Sequence, residues 1–77
     1  MTKLPLLSGP QVVKILCNKF GFSCEPGKGS HFKIKKRLPN GALVVTAVPR
    51  HSELAKGTLL GILKDAQVDR EEFMKYV

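Results

Sequence analysis

The sequence predicts an α+β fold in the order α-β-β-β-α-α. A three-stranded antiparallel sheet carries two main helices packed on one face, with a short C-terminal helix. Three observations predict it. Val12, Val13, Leu16, Cys17 and Phe20 recur at helical spacing near the N-terminus. Two runs of strand pattern flank Pro39-Asn40-Gly41, which has hairpin-turn chemistry. Leu59, Ile62, Leu63 and Ala66 then form a second helical series. Three antiparallel strands need a cover for their apolar face, and the two longer helices can supply it. With 77 residues, 43% of them apolar, the chain reads as one globular domain over 1–77. A domain this small is only marginally stable alone, and a bound partner adds to its stability.

Helix one is predicted over Gly9–Phe20. Ser8 can cap it, Pro10 fits the first turn, where no intrahelical donor is needed, and Gly21 stops it. Phe22 packs just beyond. "SCEPGK" at 23–28 reads as a short, poor strand. Pro26 cannot donate to a ladder, so the segment belongs at an edge or in a bulge. "SHFKIKKRL" alternates. Phe32, Ile34 and Leu38 point one way, with Lys36 the exception, and His31, Lys33, Lys35 and Arg37 point the other. "ALVVTAV" is a β-branched strand that Pro49 ends, and 49–57 is a loop. Thr58 or the residues just before it open helix two. Before the final helix, Asp69 can cap, Glu72 can reach back, and Val68 can staple onto Phe73. Phe20, Phe22, Phe32 and Phe73 are assigned to the core. They form no base-stacking platform. The last helix either docks a partner or closes the core.

Net charge is +7, and it is concentrated. Residues 28–56 hold Lys28, Lys33, Lys35, Lys36, Arg37, Arg50 and Lys56 against Glu53 alone. Residues 1–27 carry a net of +2 and residues 57–77 a net of −1. Such a surface suits a phosphate backbone or an acidic protein, and the plainer reading is a solubilising face. No apolar run is long enough to span a bilayer, and the apolar stretch in "MTKLPLLSGP" is too short for a signal peptide. The expected location is the cytoplasm. Cys17 and Cys24 make no disulfide framework and no zinc spacing, so no metal is expected. Cys17 falls on the apolar side of helix one and is assigned to the core.

On the second strand, one imidazole and three cations share a face at intervals of roughly 6–7 Å. Those cations could hold successive phosphates and orient an RNA strand. Histidine, with an ordinary pKa near 6.5, is the natural proton-transfer group there. RNA supplies its own nucleophile, the 2′-hydroxyl. Catalysis then requires removal of that proton, stabilisation of the phosphorane and protonation of the leaving oxygen. Lys28, or the N–H of Gly29, could meet the developing charge, and Ser30 offers a small donor and acceptor.

The element order resembles the double-stranded-RNA-binding domain. Four stretches carry a closer resemblance: "NKFGF" at 18–22, "KGSHF" at 28–32, "VPRHSELAKGTL" at 48–59 and "ILKDAQVDREEF" at 62–73. In this order they resemble the HicA-type toxins of bacterial and archaeal toxin–antitoxin pairs, from Ser8 to about Phe73. The resemblance implies a double-stranded-RNA-binding-domain-like fold and a metal-independent endoribonuclease that cleaves mRNA, an mRNA interferase. It makes the histidine of the motif, His31, the catalytic residue. It also implies a HicB-type antitoxin as partner, and no cofactor. Two positions depart from the family pattern. Pro26-Gly27 interrupts the first strand, and Gln67 stands where a glycine commonly ends helix two.

Other residues have two readings each. His51 is a second proton carrier, or its ring bonds a loop carbonyl and orders the connection to helix two. Arg50 grips a phosphate or is a rim charge. Lys56, at a helix start where free N–H groups favour an anion, anchors a phosphate. Alternatively, Gly57 there serves loop geometry and Thr58 is a cap. Two rivals to catalysis remain at this stage: a non-catalytic RNA-binding module, and a protein-interaction domain with an acidic partner.

Overall fold

The computed structural model describes residues 6–25 and 29–77. Its elements follow the expected order: α1 Gly9–Lys19, β1 Ser23–Glu25, β2 His31–Arg37, β3 Leu43–Pro49, α2 Lys56–Asp65 and α3 Arg70–Met74. The sheet has the order β1-β2-β3, and both pairings are antiparallel. Both longer helices pack on one of its faces. Val12 and Leu16 of α1, and Leu59 and Leu63 of α2, share a core with Ile34 of β2 and with Val44 and Val48 of β3.

Helix α1 starts where Ser8 caps it. The Ser8 hydroxyl accepts the Gln11 N–H at 3.2 Å, and the Gln11 side chain accepts the Ser8 N–H at 2.9 Å. This reciprocal box satisfies two donors that the first turn leaves without intrahelical acceptors. The helix ends at Phe20, and Gly21 follows with φ +76°. Positive φ costs glycine little, so Gly21 turns the chain and lets Phe22 enter the core.

β1 is the short edge strand that its sequence suggested. Pro26 and Gly27, assigned to an edge or bulge, lie outside the described residues. The β2–β3 hairpin closes through Leu38 N–H to Ala42 carbonyl at 2.8 Å and Gly41 N–H to Leu38 carbonyl at 2.9 Å, with Gly41 at φ +89°. The Asn40 side chain accepts the Ala42 N–H at 2.9 Å, which completes the turn. Pro49 does not fall outside the third strand. It is the last paired residue, opposite His31. At that position a backbone N–H would point away from β2, so proline costs the ladder nothing.

Two expectations about the helices are corrected. Thr58 does not cap α2 and Gly57 is not a loop residue. The helix begins at Lys56, with Ala55 at the cap and no side-chain bond there. Glu72 does not reach back in α3. Asp69 caps alone, accepting the Glu72 N–H at 3.2 Å, and the Glu72 carboxylate pairs with Lys75 at 3.2 Å. In α3 Phe73 is fully buried, its ring 6.4 Å from that of Phe20, and half-buried Val68 packs against the same core. The last helix therefore closes the core. At the end of α2, Gln67 takes φ +57° while the Val68 N–H bonds the Leu63 carbonyl at 2.9 Å. This is the left-handed helix stop that glycine usually fills, here built with glutamine.

Thr46 is the one buried polar side chain among the described residues, and its hydroxyl has no hydrogen-bond partner. It faces the helices between Val44 and Val48. An unpaired buried hydroxyl costs about 1–3 kcal/mol, and valine has the same shape. Thr46→Val is expected to stabilise the domain by about 1 kcal/mol. Thermal unfolding checks this as a rise of about 4–8 °C.

Candidate functional site

Three backbone bonds hold the end of the sheet where His31 stands. The Arg50 N–H donates to the Ser30 carbonyl at 2.8 Å, extending the β2–β3 ladder one step past Pro49. The Gly9 N–H donates to the His51 carbonyl at 2.9 Å, and the Leu54 N–H donates to the Leu7 carbonyl at 2.7 Å. The start of α1 is thus tied to the chain leaving β3. Gly9 is buried there because the Pro49 carbonyl occupies the space that a side chain would need.

Gly29 precedes the strand with φ +101°, so the approach to His31 uses a backbone shape that favours glycine. The His31 ring is exposed on the face away from the helices, and its Nδ1 lies 2.9 Å from the Ser30 hydroxyl. Serine can donate to Nδ1 or accept from it, so one bond orients the ring in either tautomer. Nε2 has no hydrogen-bond partner among the described residues. Lys28 lies outside the described residues.

His31, Lys33, Lys35 and Arg37 are all exposed on this face, as the alternation required, but they are not equivalent. Lys35 is paired with Glu25 across the β1–β2 ladder at 2.6 Å. Arg37 donates from Nη1 to the Gly41 carbonyl at 2.9 Å, which fastens it to the hairpin turn. Lys33 has no acidic partner within ion-pair distance among the described residues. The hydrogen bond from Lys35, then its charge, holds the Glu25 carboxyl below its ordinary value. Because the folded value is depressed, this pair contributes above the ordinary carboxylate range and is lost as pH falls through the folded value.

Lys36 faces the helices, where sequence alternation made it the exception. It is half-buried, and its ammonium lies 5.8 Å from the centroid of the Phe22 ring. A long stem covering an aromatic while the charge reaches water explains why lysine fits there.

Arg50 does not join the stripe. Its guanidinium stacks on the Phe32 ring, 3.9 Å from the centroid, and Phe32 packs against the core on the other face. His51 is exposed, and its ring bonds no loop carbonyl among the described residues. Its backbone carbonyl, bonded to Gly9, does the ordering instead. Lys56 opens α2. The first bond of that helix runs from the Leu59 N–H to the Ala55 carbonyl, and neither a side-chain cap nor an acidic residue occupies its first turn. The free N–H groups and positive dipole end beside Lys56 suit an anion.

A feature absent from the sequence reading is the apolar half of the same face. Across from Lys33, Lys35 and Arg37 stand Ala47, Val45 and Leu43, all exposed. The sequence carried one signal for it. "ALVVTAV" is apolar on both parities, so one parity had to face water once the sheet was covered on a single side.

Both thiols are free, and burial, then the Cys24 charge, pushes Cys17 up. Among the described residues no three His, Cys, Asp or Glu side chains gather as metal ligands, and no helix is long and apolar enough to cross a membrane.

No curated protein and no solved structure matches the chain. A family model, the HicA toxin of bacterial toxin–antitoxin systems, matches residues 9–68. The match runs from the first residue of α1, through all three strands and α2, to Val68. The chain therefore belongs to the HicA toxin family, and it is the toxin partner of a toxin–antitoxin system.

Proposed function

We propose that this toxin is a metal-independent endoribonuclease acting on mRNA, with His31 as its proton-transfer residue and a HicB-type protein as its antitoxin. One observation carries the chemistry: an exposed imidazole, oriented through Nδ1 by Ser30, at the head of a strand that presents cations on the same face. In the proposed step, Nδ1–H donates to the Ser30 hydroxyl and the Nε2 lone pair takes the proton of an RNA 2′-hydroxyl. The 2′-oxygen forms a bond to the adjacent phosphorus, and the bond from phosphorus to the 5′-oxygen breaks. The leaving oxygen takes a proton, and the products are a 2′,3′-cyclic phosphate and a 5′-hydroxyl. Lys33 meets the phosphate charge nearest His31, and Lys28 and the Gly29 N–H are further candidates for that role. Lys35, Arg37 and Lys56 hold the backbone further along. His51 is the candidate donor to the leaving oxygen. Arg50 positions the end of the sheet through Phe32.

The test is cleavage of defined RNA by purified protein, with and without a chelator, followed by analysis of the ends. Cleavage that survives chelation and leaves cyclic phosphate supports the mechanism. Dependence on added magnesium, or 3′-hydroxyl ends, overturns it. Tight RNA binding with no cleavage would favour the non-catalytic module.

The Lys35–Glu25 pair supplies a check on the binding face. Glu25→Gln releases the Lys35 ammonium. RNA affinity is expected to rise a few-fold at low salt, and the slope of log K against log salt to steepen by about 0.7. A titration of single-stranded RNA at several salt concentrations reads both, and an unchanged slope removes Lys35 from the contact.

A further inference from the structure

We propose that the outer edge of β3 is the docking site for an extended segment of the protein antitoxin, which joins the sheet as a fourth strand. The pattern of hydrogen bonds leads there. At one end of the β2–β3 ladder the Arg50 N–H bonds the Ser30 carbonyl, and at the other the Leu38 N–H bonds the Ala42 carbonyl. Bonded and non-bonded positions alternate along an antiparallel pair. Val44, Thr46 and Val48 therefore bond to β2, and the N–H and carbonyl groups of Leu43, Val45 and Ala47 point away from it. β3 is the end strand of the sheet, and among the described residues these outward groups have no hydrogen-bond partner.

Edges are usually protected by charge, proline, a bulge or shortness. β1, the other edge, is three residues long and carries the Glu25–Lys35 ion pair. β3 is seven residues long and has no charged residue, and its only proline is the last residue. The open window is Leu43–Ala47, about 16 Å of strand. Its exposed side chains are apolar, with Leu43 52% and Val45 44% accessible.

Charge decides the occupant. A second copy would bring another chain of net charge +7 against the first, with a basic stripe on each side of the new pairing. An acidic segment is attracted instead, and a toxin of this family has an antitoxin as its partner. Main-chain bonds to the edge give such a segment affinity, and alternate side chains give it specificity. The chemistry required is an extended stretch with apolar side chains beside Leu43 and Val45 and carboxylates within reach of Arg37 and Lys33. The inference rests on the toxin–antitoxin assignment and on the proposed protein antitoxin, and is independent of the ribonuclease reading.

Residue-resolved amide exchange on the isotope-labelled chain tests it, free and in the complex copurified with its cognate antitoxin. In the free chain Val44, Thr46 and Val48 are expected to exchange slowly and Leu43, Val45 and Ala47 rapidly. In the complex the second set is expected to slow at least about tenfold. Unchanged exchange at those three amides overturns the proposal. Slowing in the free chain that grows with its own concentration also overturns it, in favour of a second copy. Ala47→Pro removes an outward donor and leaves the inward bonds intact, and is expected to weaken antitoxin binding about tenfold or more. Undiminished binding by a folded variant counts against the edge, and the exchange measurement on the unaltered chain decides the matter should the variant misfold.

Discussion

His31→Ala is expected to lower RNA cleavage by about 10²–10⁴-fold and to abolish growth arrest on induction. The magnitude is that of a positioned general acid or base. The ring is exposed and its hydrogen-bond partner among the described residues is the neighbouring Ser30, so its removal costs the fold little. Surface changes of this kind shift stability within about 0.5 kcal/mol. The melting temperature should therefore stay nearly constant while activity disappears. RNA affinity should also persist, because the cations of β2 are untouched. A folded His31→Ala chain that still degrades message would place the chemistry elsewhere, with His51 the next residue to remove. The pH profile of cleavage by the unaltered chain separates two further cases. A bell-shaped dependence is expected when one histidine takes the proton and another group supplies one, and a single limb when only one titration matters.

Gly9→Ala is expected to be the most destabilising change of comparable size. A Cβ at this position would overlap the Pro49 carbonyl oxygen and stand 3.0 Å from its carbon. Both obstacles are backbone, so no rotamer change relieves the contact. Overpacking typically costs about 1–3 kcal/mol, and a backbone collision belongs at the upper end. For a domain of this size, about 3 kcal/mol lowers the melting temperature by about 12–24 °C. The damage would not stay local. The Gly9 N–H bonds the His51 carbonyl, and Pro49 pairs with His31 across the ladder. Any shift that relieves the clash moves the end of β3 against which His31 is set. Loss of cleavage is therefore expected even at temperatures where the variant remains folded. A variant as stable as the parent would show that α1 can be displaced from Pro49 without cost.

The two residues illustrate how differently a sequence reports its contents. His31 was legible because a local pattern surrounds it. Alternation assigned it a face, the neighbouring lysines gave that face a charge, and "KGSHF" carried the family resemblance. Gly9 was read only as the first residue of a helix. Its importance comes from Pro49, forty positions later in the chain, and no local pattern encodes that contact.

The same division runs through the rest of the molecule. Helix spacing, strand alternation and the Pro39-Asn40-Gly41 turn are short-range signals, and they were enough for the element order and for the side of the sheet that the helices cover. The Ser8 cap was readable for the same reason, whereas Gln67 was marked only as a departure from the glycine of the family pattern. Pairings across strands were not. The cationic stripe was visible, but not that Glu25 engages Lys35 and that Arg37 bonds its own hairpin turn, which leaves Lys33 without an acidic partner among the described residues. Arg50 was read as a phosphate contact or a rim charge, and ladder geometry put it on the side opposite the stripe, against Phe32. Thr58 and Glu72 were given capping roles because their residue types permit them. Which donor they meet depends on where each helix begins.

The sequence by itself determined the order of elements, the buried faces of the helices and of β2, the basic character of the middle region, and the histidine at its head. Those properties follow from residue types a few positions apart. Only the tertiary structure decided which cations are engaged, which glycine has no room for a side chain, and that β3 stands at the edge with an apolar exposed side. Each of these depends on distances between residues remote in the chain, and in an apolar strand on both parities the choice of face is made by what packs against it.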